Sequence, residues 1–132
     1  MFEANYLAIL VVAIVVYGLG ALWYSPVLFG KKWMKLSGMS MDSAKGAGKG
    51  YAIGFIIKLV ELYVLAYFVQ MLGKNDFWGG AELGFWVWLG FVGTYSLGAT
   101  LWERKPGALW WLNNIYNVIG LVIAGGILAI WM

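Results

Sequence analysis

An all-helical integral membrane protein with four crossings is the fold class this sequence predicts, on three observations. Hydrophobic types make up 63% of the 132 residues and charged types 11%, against roughly half and a quarter in a soluble domain. Four separate stretches reach the roughly 20 mostly apolar residues that a crossing helix needs. Their apolar residues run continuously instead of alternating, which fits helices and not the strands of an outer-membrane barrel. In hydrocarbon each peptide group has to be satisfied within its own segment, so helix is the choice left open. The same composition excludes a water-soluble globule and a disordered chain. A single domain over residues 1–132 is expected.

The first crossing is read over residues 5–24. The flank before it holds Glu3 and neither Lys nor Arg, unlike the basic flank of a secretory signal, so it is expected to stay as a crossing. The others are read over 53–72, 81–101 and 109–131. Direction follows from the loop cations. Lys31, Lys32, Lys35, Lys45 and Lys49 lie in the first connection and Arg104 and Lys105 in the third, seven against Lys74 alone in the second. The side with seven is expected to be cytoplasmic, with both termini outside. The net charge of +3 then reflects topology, and no nucleic-acid partner is expected. Trp23, Tyr24, Trp102, Trp110 and Trp111 would gather at the cytoplasmic interface, and Tyr6, Trp78 and Trp131 at the outer one.

Between the first two crossings, Ser25-Pro26 stops one helix and can open another, Ser25 as cap and Pro26 in the first turn. Over residues 26–36, Phe29, Trp33 and Leu36 then share a face, with Lys31, Lys32 and Lys35 on the other side. That is the pattern of a short interfacial amphipathic helix, apolar side in the bilayer and lysines toward anionic lipid. Ser37-Gly38 ends it, and Ser40 or Asp42 is the expected cap of the next helix.

Small residues recur at every fourth position in two places, Gly46, Gly50 and Gly54, then Gly90, Thr94 and Gly98, and less regularly on the fourth crossing at Gly120 and the pair Gly125-Gly126. Such stripes let helices approach closely, within one chain or between copies, so a homo-oligomer is expected. A Leu-Gly-Ala-x-Trp run at residues 19–23 before Pro26 is echoed by Leu97-Gly98-Ala99-Thr100-Leu101-Trp102 before Pro106, which admits either an old duplication or chance.

The run Leu22-Trp23-Tyr24-Ser25-Pro26, with Phe29-Gly30-Lys31, Trp33 and Leu36-Ser37-Gly38, resembles the small bacterial membrane proteins grouped as domain of unknown function 1761. The likeness runs over essentially the whole chain, and its most specific part is residues 23–30. It implies a four-span protein of the bacterial cytoplasmic membrane, and it implies no activity and no catalytic residue.

Charges inside a bilayer are rare and usually functional or paired. Lys58 and Glu61 stand three apart on the second crossing, within reach of one another. At about 1.5 Å per residue from Tyr51, Lys58 lies roughly 10 Å deep and Glu61 roughly 15 Å deep. Asn113 and Asn117, one turn apart on the fourth crossing, fall at similar depths, as do Thr94 and Tyr17. One polar cluster of Tyr17, Lys58, Glu61, Thr94, Asn113 and Asn117 is therefore expected. Two uses remain open for it: a register-fixing ion pair, or a proton- or cation-linked transport site with Glu61 as the coupling group.

Cysteine and histidine are both absent, which removes disulfides, thiol chemistry and the commonest general base. Gly18-Leu19-Gly20 sits inside a crossing and not at a strand-to-helix turn, so it is no phosphate cradle. No enzyme activity, metal or cofactor is expected, and membrane lipids are the expected partners.

Overall fold

A computed structural model describes residues 2–38 and 48–131, and all regular structure among them is helical. Helix α1 spans Tyr6–Trp23, α2 Gly30–Ser37, α3 Gly48–Met71, α4 Phe77–Val87, α5 Thr94–Trp102 and α6 Gly107–Trp131, with a π-helical segment at Trp88–Gly93 between α4 and α5. Three helices, α1, α3 and α6, are each long and apolar enough to cross a membrane. The third stretch differs from the single α-helix expected over 81–101. Its helical run is unbroken from Phe77 to Trp102, but it is divided by the π segment, and neither α piece reaches crossing length alone.

The helix ends follow side-chain chemistry. Asn5 caps α1 by accepting the Ala8 N–H at 3.1 Å, and Asp76 caps α4 by accepting that of Gly79 at 3.3 Å. Ser25 closes α1 by donating from Oγ to the Leu22 carbonyl at 2.7 Å. It does not cap a helix beginning at Pro26. The Ser25 carbonyl instead accepts the N–H groups of Leu28 and Gly30, so residues 25–29 are tight turns and α2 starts four residues later than expected. Glycine at position 30 is forced, because a Cβ there would fall within the Tyr24 carbonyl. Along α2, Trp33 and Leu36 are half-buried while Lys31, Lys32 and Lys35 are exposed. Gly38 ends it in the left-handed region at φ 77°. The expected cap at Ser40 or Asp42 lies outside the described residues.

The core forms where α1, α3 and α6 meet, and its largest fully buried side chains include Val12, Val16, Leu62, Leu65 and Leu128. The tightest seam joins α4 to α6. A Cβ on Gly80 would overlap the Gly125 carbonyl, one on Gly84 the Leu121 carbonyl, and one on Gly125 the Gly80 carbonyl. Backbones pack against each other directly here, which only glycine permits.

Three hydrogen-bonded joints fix the directions. The Glu3 N–H donates to Gln70 Oε1 at 2.6 Å, and Asn5 Nδ2 donates to the Trp131 carbonyl at 3.3 Å, so α1 begins where α3 and α6 end. At the opposite end, Trp23 Nε1 donates to the Leu112 carbonyl at 3.0 Å, uniting the finish of α1 with the early part of α6. Residues 77–102 therefore carry the chain from the end where α3 stops to the end where α6 starts.

The close-packing glycines are not those of the two regular stripes, although Gly120, Gly125 and Gly126 of the less regular set on α6 do pack closely. Gly50, Gly90 and Gly98 meet nothing within 4 Å, and Gly54 meets only the Tyr17 ring. Gly46 lies outside the described residues. The working contacts fall at Gly80, Gly84 and Gly125, where glycine interrupts bulkier residues without a long four-residue rhythm. The two echoed Leu-Gly-Ala runs also part ways. Gly20 packs under the Tyr116 hydroxyl while Gly98 is open, and Trp23 bonds inward while Trp102 is 84% exposed.

Candidate functional site

Lys58 and Glu61 share one turn of α3, and their pairing is the only ion pair among the described residues. Lys58 Nζ lies 3.1 Å from Glu61 Oε1, with the lysine side chain 15% exposed and the carboxylate 35%. The ammonium also sits 5.8 Å from the centroid of the Tyr116 ring on α6, within cation–π range. Tyr116 in turn donates its hydroxyl to the Val16 carbonyl at 2.7 Å. Beside the pair, Glu61 lines a cleft of about 320 Å3 among Val64, Phe68, Phe91, Val92 and Leu121.

The other expected members stand elsewhere. Tyr17 donates to the Tyr51 carbonyl at 2.6 Å and stacks edge-on against Phe55, tying α1 to the start of α3. Asn113 Oδ1 accepts the Tyr24 hydroxyl at 2.7 Å, fastening α6 to the end of α1. Thr94 is exposed and returns its hydroxyl to the Gly90 carbonyl one turn back, so it joins nothing. Asn117 Nδ2 reaches Asn114 Oδ1 at 3.5 Å, the outer limit of a hydrogen bond. No hydrogen bond links Lys58 or Glu61 to Asn113 or Asn117. Of the six residues expected in one cluster, Lys58 and Glu61 pair, Tyr17 and Asn113 serve two separate joints, Asn117 reaches only Asn114 and Thr94 joins nothing. Equal depth along separate helices does not fix the direction each side chain faces.

A second network contains residues the sequence reading passed over. Asn114 is 2% exposed. Its Oδ1 accepts Trp88 Nε1–H at 3.0 Å, and its Nδ2 donates to the Trp110 carbonyl at 3.0 Å. Ser96 Oγ lies 3.3 Å from the same Oδ1 and 2.7 Å from the Val92 carbonyl. Trp110 Nε1 donates between Ser96 Oγ at 3.1 Å and the Gly93 carbonyl at 3.3 Å. These bonds gather around the π segment, a wide turn whose displaced carbonyls need partners beyond the helix ladder. The available signal was spacing: Trp110, Asn114 and Asn117 stand at i, i+4 and i+7 on one face of α6. Trp23, Tyr24 and Trp110, expected as interfacial anchors, all direct their polar atoms into helix–helix bonds.

No fully buried side-chain nitrogen or oxygen among the described residues lacks a hydrogen-bond partner. The polar groups between helices are committed to one another, which suits packing specificity.

The family model described as protein of unknown function (DUF1761) matches residues 7–129, and the chain belongs to that family. No curated protein and no solved structure matches it.

Proposed function

We propose that this DUF1761 member is a four-crossing helical bundle of the bacterial cytoplasmic membrane, self-associating, with a structural or accessory role and no transported substrate. One observation carries the reading: the two charges deepest in the apolar helices neutralise each other across one turn, and the amides of Asn113 and Asn114 are tied into helix–helix bonds. A transport site needs a group left free to exchange protons or take a cation, and here the acid is paired while Asn113 and Asn114 each hold a partner on another helix.

The fourth crossing follows from direction. α1, α3 and α6 supply three passages, and residues 77–102 make the remaining return between opposite ends as α4, the π segment and α5. Exposed Lys31, Lys32, Lys35, Arg104 and Lys105 collect at the end where α1 finishes and α6 starts. That end is read as cytoplasmic by the positive-inside rule, which puts both termini outside. Helix α2, with its exposed lysines and half-buried Trp33 and Leu36, lies in this reading along the headgroup layer against anionic lipid.

A second reading, a small proton- or cation-linked transporter, draws on one fact: Glu61 lines the cleft between α3, the π segment and α6. Proteoliposomes separate the two. The structural reading expects no proton or alkali-cation flux above protein-free vesicles, and a native mass of a homo-oligomer. A flux abolished by Glu61→Gln overturns it, and a strictly monomeric mass removes self-association. Reporter fusions to both termini and to the 103–106 loop test the topology, which fails if the termini and that loop report the same side.

A further inference from the structure

The outward side of α4 carries an acid that the packing does not use. Trp78, Glu82 and Trp86 stand at i, i+4 and i+8, so they line up over two turns of one face. Glu82 is exposed, and the indoles above and below it are 77% and 59% exposed. Together with Ala81, Phe85 and Val122 they line an open cleft of about 550 Å3. Trp86 Nε1 donates to Glu82 Oε1 at 3.4 Å, a long bond that sets the indole beside the carboxylate and leaves the second oxygen free. No cation of the described chain lies within 4 Å of Glu82, since the one ion pair there is Lys58–Glu61.

A carboxylate on this face is unusual. Counted from Phe77, Glu82 lies about 8 Å along α4, which on the four-crossing reading proposed above, on which this inference rests, is the boundary between headgroups and hydrocarbon. An unneutralised charge at that depth is costly, and natural sequences keep it where it is used. Indole faces are the strongest aromatic partners for ammonium ions, and quaternary ammonium groups are recognised by such rings. A negative charge bracketed by two indoles over an apolar floor therefore has the chemistry of a receptor for an amphiphilic monocation. The cleft walls hold no Lys or Arg to accept a phosphate, so a zwitterionic lipid headgroup fits less well than a lone ammonium on a hydrocarbon tail.

We infer that the Trp78–Glu82–Trp86 face of α4 binds the cationic head of an amphiphilic alkylammonium, with Glu82 as counter-ion and the indoles as its walls. This goes beyond the structural role proposed above and uses neither the Lys58–Glu61 pair nor self-association.

The test is titration of the full chain in dodecyl maltoside micelles with dodecyltrimethylammonium, read by tryptophan emission and calorimetry, with dodecylphosphocholine as the lipid-headgroup arm. Saturable binding is expected in the wild type. It should weaken at least tenfold in Glu82→Gln and in Trp86→Leu, with melting temperatures unchanged because both side chains are exposed. Glu61→Gln should bind as the wild type does. Equal affinity of wild type and Glu82→Gln overturns the inference, as does loss through Glu61→Gln alone. Dodecylphosphocholine binding as tightly as the ammonium also overturns it, assigning the face to lipid headgroups.

Discussion

Asn114 Oδ1 accepts the indole N–H of Trp88 at 3.0 Å, and this bond joins the π segment to the first third of α6. Asn114 is 2% exposed, so a residue without an acceptor there leaves the indole N–H facing apolar neighbours. The cost of one unsatisfied buried group is about 1–3 kcal/mol in water-soluble proteins. Interhelical polar contacts in membranes average closer to about 0.6 kcal/mol. Asn114 Oδ1 takes the Trp88 bond and a longer one from Ser96 Oγ at 3.3 Å across helices, so Asn114→Ala is expected to lose about 1–2 kcal/mol, measured by denaturant unfolding in micelles. Trp88→Phe should lose less, and the double variant should cost less than the two losses added, because both remove the same bond.

That network also shows how far the sequence could be read. Continuous apolar runs locate the helices, since a crossing segment has one way to satisfy its backbone. Side-chain direction is another matter. Asn113 and Asn114 are neighbours about 100° apart on α6, and hydropathy does not say which faces the interior. The pair divides its work, Asn113 to Tyr24 and Asn114 to Trp88. The π segment was illegible for a related reason: its extra residue per turn is chosen by tertiary partners and not by Trp88–Gly93 itself. Lys58 and Glu61 could be paired from spacing alone because both lie on one helix. The partner ring of Tyr116 could not, since it belongs to α6.

Glycine substitutions should separate the inner seam from the outward faces. Gly84→Ala places a methyl group into the Leu121 carbonyl, and backbone cannot yield as a side-chain tip does. An overpacking loss of about 1–3 kcal/mol is expected, seen as a lower melting temperature in micelles. A Cβ on Gly90 meets open space on an exposed face, so the Gly90→Leu monomer should melt as the wild type does. If copies associate through the Gly90–Gly98 side, Gly90→Leu is the variant whose native mass falls to that of one chain. An unchanged oligomer in Gly90→Leu moves the interface elsewhere.

The ion pair of α3 should behave as a unit. Glu61→Leu leaves Lys58, 15% exposed, without its counter-ion and dependent on the Tyr116 ring. Breaking a fully buried pair costs about 3–5 kcal/mol. Glu61 is 35% exposed, so a smaller loss of about 1–3 kcal/mol is expected here. Lys58→Met combined with Glu61→Leu removes both charges and should come back to within about 1 kcal/mol of the wild type. Additive losses in the micelle-unfolding cycle would show that the two charges do not stabilise one another.

Gly93 offers the sharpest test of what holds the π segment open. A Cβ at this position would lie 2.9 Å from Cζ2 and 3.0 Å from Cε2 of Trp88, whose indole folds back over the last residue of the wide turn. Those separations are too short for carbon atoms, so Gly93→Ala must push the ring aside or shift the turn. Either movement carries Trp88 Nε1 away from Asn114 Oδ1. Helix propensity alone favours alanine over glycine by about 1 kcal/mol, so a purely local effect would stabilise the variant. Coupling through Trp88 predicts the opposite sign: a net loss in Gly93→Ala that largely disappears in a Trp88→Leu background, where no indole stands in the way. The unfolding midpoints of the four proteins in the cycle decide it. A stabilised Gly93→Ala would mean that the turn is wide for reasons other than the indole above it.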